Sequence, residues 1–143
     1  MKKNKRVDIL KRGYITMKKT DYITLYHYSN NKINGKLLPD FFGNNSFTDN
    51  DIKSCNVKRI FFYDKKNPEY LLSSCSFLYT CRIKKSKIYN LTQDKAGYLK
   101  RYNSIYQAVK VIKKYYQGII YRIGDYNIIN VFYGIKSNSI ERR

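Results

Sequence analysis

The chain has 143 residues, 29 Lys and Arg against 10 Asp and Glu, and a formal charge of +19, with 43% hydrophobic residues. That length and apolar content describe one folded domain rather than a disordered chain. No run approaches the ~20 apolar residues of a membrane-spanning helix, and the Lys-rich start leads into no apolar signal segment, so a cytoplasmic protein is expected. Cys55, Cys75 and Cys81 form no CxxC pair and there is a single histidine, His27. This excludes a Cys/His zinc site and a paired disulfide framework, and no metal is expected.

The charge favours an anionic partner, either nucleic acid or an acidic nucleoprotein. Sixteen Tyr and seven Phe stand among the basic residues and offer flat rings for base stacking. Lys, Asn, Ile and Tyr are also the residues that A/T-rich coding enriches, which accounts for part of both signals.

In chain order, residues 1–20 hold eight Lys and Arg and one Asp and read as a basic arm, with Met17 as a second plausible start. Residues 21–28 read as a first strand ending at Tyr26-His27-Tyr28-Ser29. An imidazole where a strand meets a loop can be held rigidly and still reach a ligand. Residues 30–56 form a long irregular segment, and segments of that length are often functional. Val57 to Tyr63 reads as the next strand, with Phe61 and Tyr63 on one face and Phe62 on the other. Asn67-Pro68-Glu69 then opens a short helix, since Pro at the first turn and an acid behind it are favourable there.

Phe77 to Ile83 reads as a third strand and Ile88 to Leu91 as a short extended piece. The clearest helix is expected over 104–116. Ser104 and Gln107 make a capping box, and Ile105, Val109, Ile112 and Tyr116 fall on one face. Arg101, Lys110, Lys113 and Lys114 are the candidate nucleic-acid contacts, and no acid occurs from Lys95 to Gly124. Gln117-Gly118 ends the helix. Ile119 to Arg122, a turn at Gly124-Asp125, and Ile128 to Phe132 complete a hairpin, and 138–143 reads as a polar tail. The expectation is a single α+β domain over 21–137, with a mixed, mostly antiparallel sheet and few helices.

In that order the segments resemble the ADP-ribosyltransferase-like fold, in particular its small phage and mobile-element members. The resemblance is carried by Tyr26-His27-Tyr28-Ser29, Ile60-Phe61-Phe62-Tyr63-Asp64, Leu78 to Ile83 with Lys87 to Leu91, and the closing Gly118-Ile119-Ile120-Tyr121 and Asn130-Val131-Phe132. It implies that NAD is a substrate, with His27 on its ribose and Ser29 shaping the pocket. It implies that Phe61, Phe62 or Tyr63 stacks on nicotinamide, and it places Tyr28, Tyr121 and Asn130 beside the cofactor. The family's late-strand Glu, which steadies the oxocarbenium-like cation, has no counterpart here. Glu69 and Glu141 are the only glutamates, and Asn130 stands on the late strand. The acid is therefore Asp125, Glu69 or absent. Two functions follow: a mono-ADP-ribosyltransferase acting on a host nucleic acid or nucleoprotein, or a catalytically degenerate basic binder on the same scaffold.

Overall fold

A computed structural model describes residues 21–39, 57–66 and 75–143. The basic arm, most of the irregular segment with Cys55, and the short helix with Glu69 lie outside the described residues. The elements are β1 (Tyr22–Ser29), β2 (Lys36–Leu37), β3 (Ile60–Tyr63), β4 (Phe77–Lys84), β5 (Ile88–Asn90), α1 (Tyr98–Arg101), α2 (Ile105–Ile112), β6 (Gly118–Ile123), β7 (Tyr126–Val131), β8 (Ile135–Lys136) and β9 (Ser139–Arg142). Seven strands form one sheet in the order β5-β6-β7-β3-β1-β4-β9, and β2 and β8 form a separate ribbon. The β5–β6 pair is parallel and every other pair in the large sheet is antiparallel. The protein is thus strand-rich α+β with a mixed sheet, as its segment order implies.

Both sheet faces are covered, which explains why Ile128-Ile129 and Ile119-Ile120 read as continuous apolar runs. One face carries Tyr63, Tyr89, Ile119, Tyr121, Ile128 and Phe132 and is covered by Val109 and Ile112 of α2. The other carries Leu25, Ile60, Phe62, Tyr79, Cys81 and Ile129, packed against Leu37 of the ribbon. Burial pushes the Cys81 thiol up to about 12, so it is an inert packing group.

The helix α2 starts as its sequence requires: Ser104 Oγ accepts from the Gln107 amide at 3.1 Å. It stops at Ile112, before the expected 116, and a turn over 113–115 follows. Just upstream, the Asp94 carboxylate accepts from the amides of Tyr98 and Leu99, each at 3.0 Å, and from the Tyr89 hydroxyl. Burial, reinforced by that bond to Asp94, pushes the Tyr89 hydroxyl up to about 12.

The polar tail is a correction. Ser139 to Arg142 form β9, which pairs with β4 from Phe77↔Arg142 to Thr80↔Ser139 and belongs to the same sheet. All four residues are exposed. A charged edge strand resists further pairing, and its polarity hides it from hydrophobic patterning.

Candidate functional site

His27 lies on β1, one strand from Phe62, and its Nδ1 is 2.7 Å from the carbonyl oxygen of Phe61. A carbonyl can only accept, so Nδ1 carries the proton and the neutral ring presents Nε2 as a lone-pair acceptor. The ring packs against Phe62 and Tyr79 at centroid distances of 5.5 and 6.2 Å. It lines a cleft of about 290 Å³ with Ser29, Asn31, Ile33, Asn34, Lys36, Leu37, Leu38 and Ile60. Burial holds the imidazole below its ordinary range, and the Phe61 carbonyl opposes this only in part.

The cleft wall depends on Tyr79, which is fully buried. Its hydroxyl donates to the Asn31 carbonyl at 2.9 Å and accepts from the Ile33 amide. Ser29 Oγ accepts from the Asn31 amide at 3.0 Å, and Asn30 Oδ1 accepts from the Ser76 amide at 3.1 Å. The β1–β2 turn is thus pinned to β4 beside the histidine. Tyr79 has no signal as a site residue in the sequence, because alternation marks it only as core and its loop partners are 46 and 48 residues away. Tyr79→Phe keeps the ring and strands both backbone partners. It should cost about 1–2 kcal/mol in urea unfolding and speed hydrogen exchange at the Ile33 amide. Unchanged exchange there would show that the hydroxyl holds nothing.

The resemblance-based site does not come together around one cleft. Period-2 alternation places His27, Ser29 and Phe62 on the ribbon-covered face and Tyr28, Phe61, Tyr63, Tyr121 and Asn130 on the helix-covered face. Tyr28 and Tyr63 pack edge-to-face at 6.4 Å, Tyr63 packs likewise on Tyr126 at 6.0 Å, and Tyr121 is core. Phe61 reaches His27 through its carbonyl, while its ring lies 5.2 Å from the Arg59 guanidinium. Of the three second-strand aromatics, only Phe62 shares a face with the histidine.

The acid is displaced as well. His27 is level with Phe62, and Phe62 pairs with Ile129. Asp125 lies two strands away and four residues further along, in the exposed β6–β7 turn. Strand spacing and rise put it on the order of 15 Å from His27. Among the described residues, no carboxylate lines the cleft and no group of three or more His, Cys, Asp or Glu gathers elsewhere.

The basic candidates fare differently. Arg101 is committed to its own loop, donating to the Ala96 carbonyl at 2.6 Å and lying 4.9 Å from the Tyr98 ring centroid. Lys110, Lys113 and Lys114 do converge on an open groove of about 500 Å³ with Lys58, Val57, Tyr106 and Tyr133. Tyr106 and Tyr133 are additions from the structure.

The lowered pKa of His27 has a sign. Below about pH 6.5 the unfolded chain takes up a proton that the folded chain resists, so stability present at neutral pH is lost as pH falls. Below pH 6.5, wild-type stability should fall by at most about 1.4 kcal/mol per pH unit from this group, and His27→Gln should lessen the slope. Equal slopes in urea titrations of the two proteins would exclude this.

No described helix is long and apolar enough to cross a membrane. Comparison of the chain with protein-family models, curated proteins and solved structures finds no match, and the residues of the cleft and the groove carry the functional reading.

Proposed function

We propose that this protein is a nucleotide-recognising member of the ADP-ribosyltransferase-like fold, directed to nucleic acid or nucleoprotein by its basic surface, and that it binds rather than transfers. The observation that carries the reading is the His27 cleft, with its tautomer set by Phe61 and no carboxylate among its described lining residues. The segments behind the resemblance supply β1, β3, β4, β5, β6 and β7 of the central sheet, in support of the fold assignment.

In this cleft Nε2 of neutral His27 accepts a hydrogen bond from a ribose hydroxyl, and the Ser29 hydroxyl shares that ribose. Lys36 offers an ammonium to the phosphates, and Leu37 and Ile60 give apolar walls. Transfer needs more. Breaking the glycosidic C–N bond of NAD leaves a cation-like sugar that an adjacent negative charge must stabilise. Asn130 can hydrogen-bond but carries no charge, and it lies on the opposite face from His27.

The test is thermal unfolding with and without millimolar NAD, for the wild type and His27→Ala. NAD at ten times its Kd stabilises the fold by ~1.4 kcal/mol, a rise of about 4 °C for a domain of this size. The variant should show no rise. No rise in either protein would remove NAD from the cleft. Incorporation of an ADP-ribosyl group into nucleic acid or protein, read by mass and abolished by His27→Ala, would replace the binding reading with the transferase one.

A further inference from the structure

The groove beside α2 is a second feature, on different residues from the His27 cleft. Lys110, Lys113 and Lys114 line it from the end of α2 and the following turn, Lys58 lines it from the segment before β3, and Tyr106 and Tyr133 supply aromatic wall. Among the described residues no acid lines it, and none occurs in the chain from Lys95 to Gly124. The ammonium groups of Lys110, Lys113 and Lys114 thus border an open space of about 500 Å³ whose described lining holds no carboxylate. Basic residues at a helix C-terminus offset the helix dipole, which explains part of their placement. It does not explain the aromatic rings.

Those rings are solvent-accessible and already hold cations. Tyr106 is 37% and Tyr133 46% exposed. The Lys110 ammonium lies 5.0 Å from the Tyr106 ring centroid, and that of Lys113 lies 5.4 Å from the Tyr133 centroid. The Tyr133 hydroxyl donates to the Lys113 carbonyl at 2.8 Å, which fixes the ring against the end of the helix. Lys110 of α2 and Lys114 of the turn that follows it also border a neighbouring depression of about 280 Å³ that includes Tyr102. The two hollows share the lysine pair as a saddle, with Tyr102 in one and Tyr106 and Tyr133 in the other, which together make one path.

We infer that this path binds a single-stranded nucleic acid, with phosphates on the lysine saddle and bases against Tyr106 and Tyr133. A duplex keeps its base faces stacked internally and cannot use the rings, whereas a single strand presents both phosphates and open π-faces. An acidic protein would use the lysines and leave the rings idle. The inference deepens the nucleic-acid arm of the proposed function and is independent of whether NAD enters the His27 cleft.

The experiment is fluorescence anisotropy of the full chain with labelled oligo(dT) and oligo(U) of roughly 15 nucleotides, without NAD, over a range of salt. Binding of either strand is expected, and Tyr106→Ala should weaken it roughly tenfold. Tyr106→Phe should retain it, because the ring remains. The double variant Lys110→Gln, Lys114→Gln should lower the slope of log K against log salt by about 1.4. Thermal unfolding confirms that each variant is folded, and the NAD response of the groove variants, like oligonucleotide binding by His27→Ala, should equal the wild type's. Equal competition by duplex DNA, or full affinity in Tyr106→Ala, would overturn the single-strand assignment. Displacement by polyglutamate as effective as by oligo(dT) would assign the surface to an acidic protein instead.

Discussion

Gly118→Ala is expected to lower the stability of this protein by about 3 kcal/mol or more, at the severe end for a single methyl group. Gly118 opens β6, between β5 and β7, and pairs with Ile88 on one side and Val131 on the other. A Cβ built there would fall inside the contact distance of the Asn130 carbonyl oxygen and 3.0 Å from Ile88 Cδ1. The isoleucine can rotate, but the carbonyl belongs to a paired central strand and can move only with its ladder. In urea the midpoint should fall by 1 M or more (roughly 1–3 kcal/mol per M for the slope), with the slope itself unchanged. Gly124→Ala is the control. Gly124 has a φ of +56° and nothing within 4 Å of the added carbon, so its cost is confined to the left-handed backbone term of roughly 1–2 kcal/mol. A Gly118→Ala midpoint equal to the wild type's would mean that β6 and β7 do not approach as described.

Asn130→Val is expected to change stability in the other direction. Asn130 is fully buried in β7, and neither its Oδ1 nor its Nδ2 has a hydrogen-bond partner among the described residues. Burying unpaired amide atoms is costly, and replacing them with an apolar, β-branched side chain suited to a strand should stabilise the fold by about 1–3 kcal/mol. The midpoint in urea reads this directly. The same variant tests the two-faced arrangement. Asn130 lies on the helix-covered face and His27 on the ribbon-covered one, so any stabilisation by NAD should be as large in Asn130→Val as in the wild type. Loss of the NAD response in this variant, with the fold intact, would put Asn130 on the nucleotide and undo the face assignment.

Both predictions fall within the closing unit of the family resemblance, Gly118 to Tyr121 with Asn130 to Phe132, and they separate what that unit does. The glycine is explained by the approach of a neighbouring backbone. Ile119, Tyr121 and Phe132 are explained by the core under α2. Asn130 has no packing explanation.

The local pattern determined a good deal by itself. The patterns over residues 21–28 and Phe77 to Ile83 marked two long strands, and Ser104 with Gln107 marked the start of α2. The single histidine was visible at the end of its strand, and the charge was visible as a whole. These are readable because they depend on neighbours two to four residues apart.

Tertiary structure decided the rest. Whether Phe61 or Phe62 shares a face with His27 turns on which side of β1 and β3 the ribbon covers, and the partners that settle it are dozens of residues apart. Tyr79 becomes a positioning residue only because the β1–β2 turn folds back onto it. The edge strand β9 exists because β4 offers it a ladder, since its own exposed residues give no hydrophobic reason to pair. Tyr106 and Tyr133, 27 residues apart in the chain, become two walls of one groove because the chain after β7 passes the end of α2. Long-range pairing converts local propensity into a site, and a period-2 pattern shared by both sheet faces cannot say which face that site will occupy.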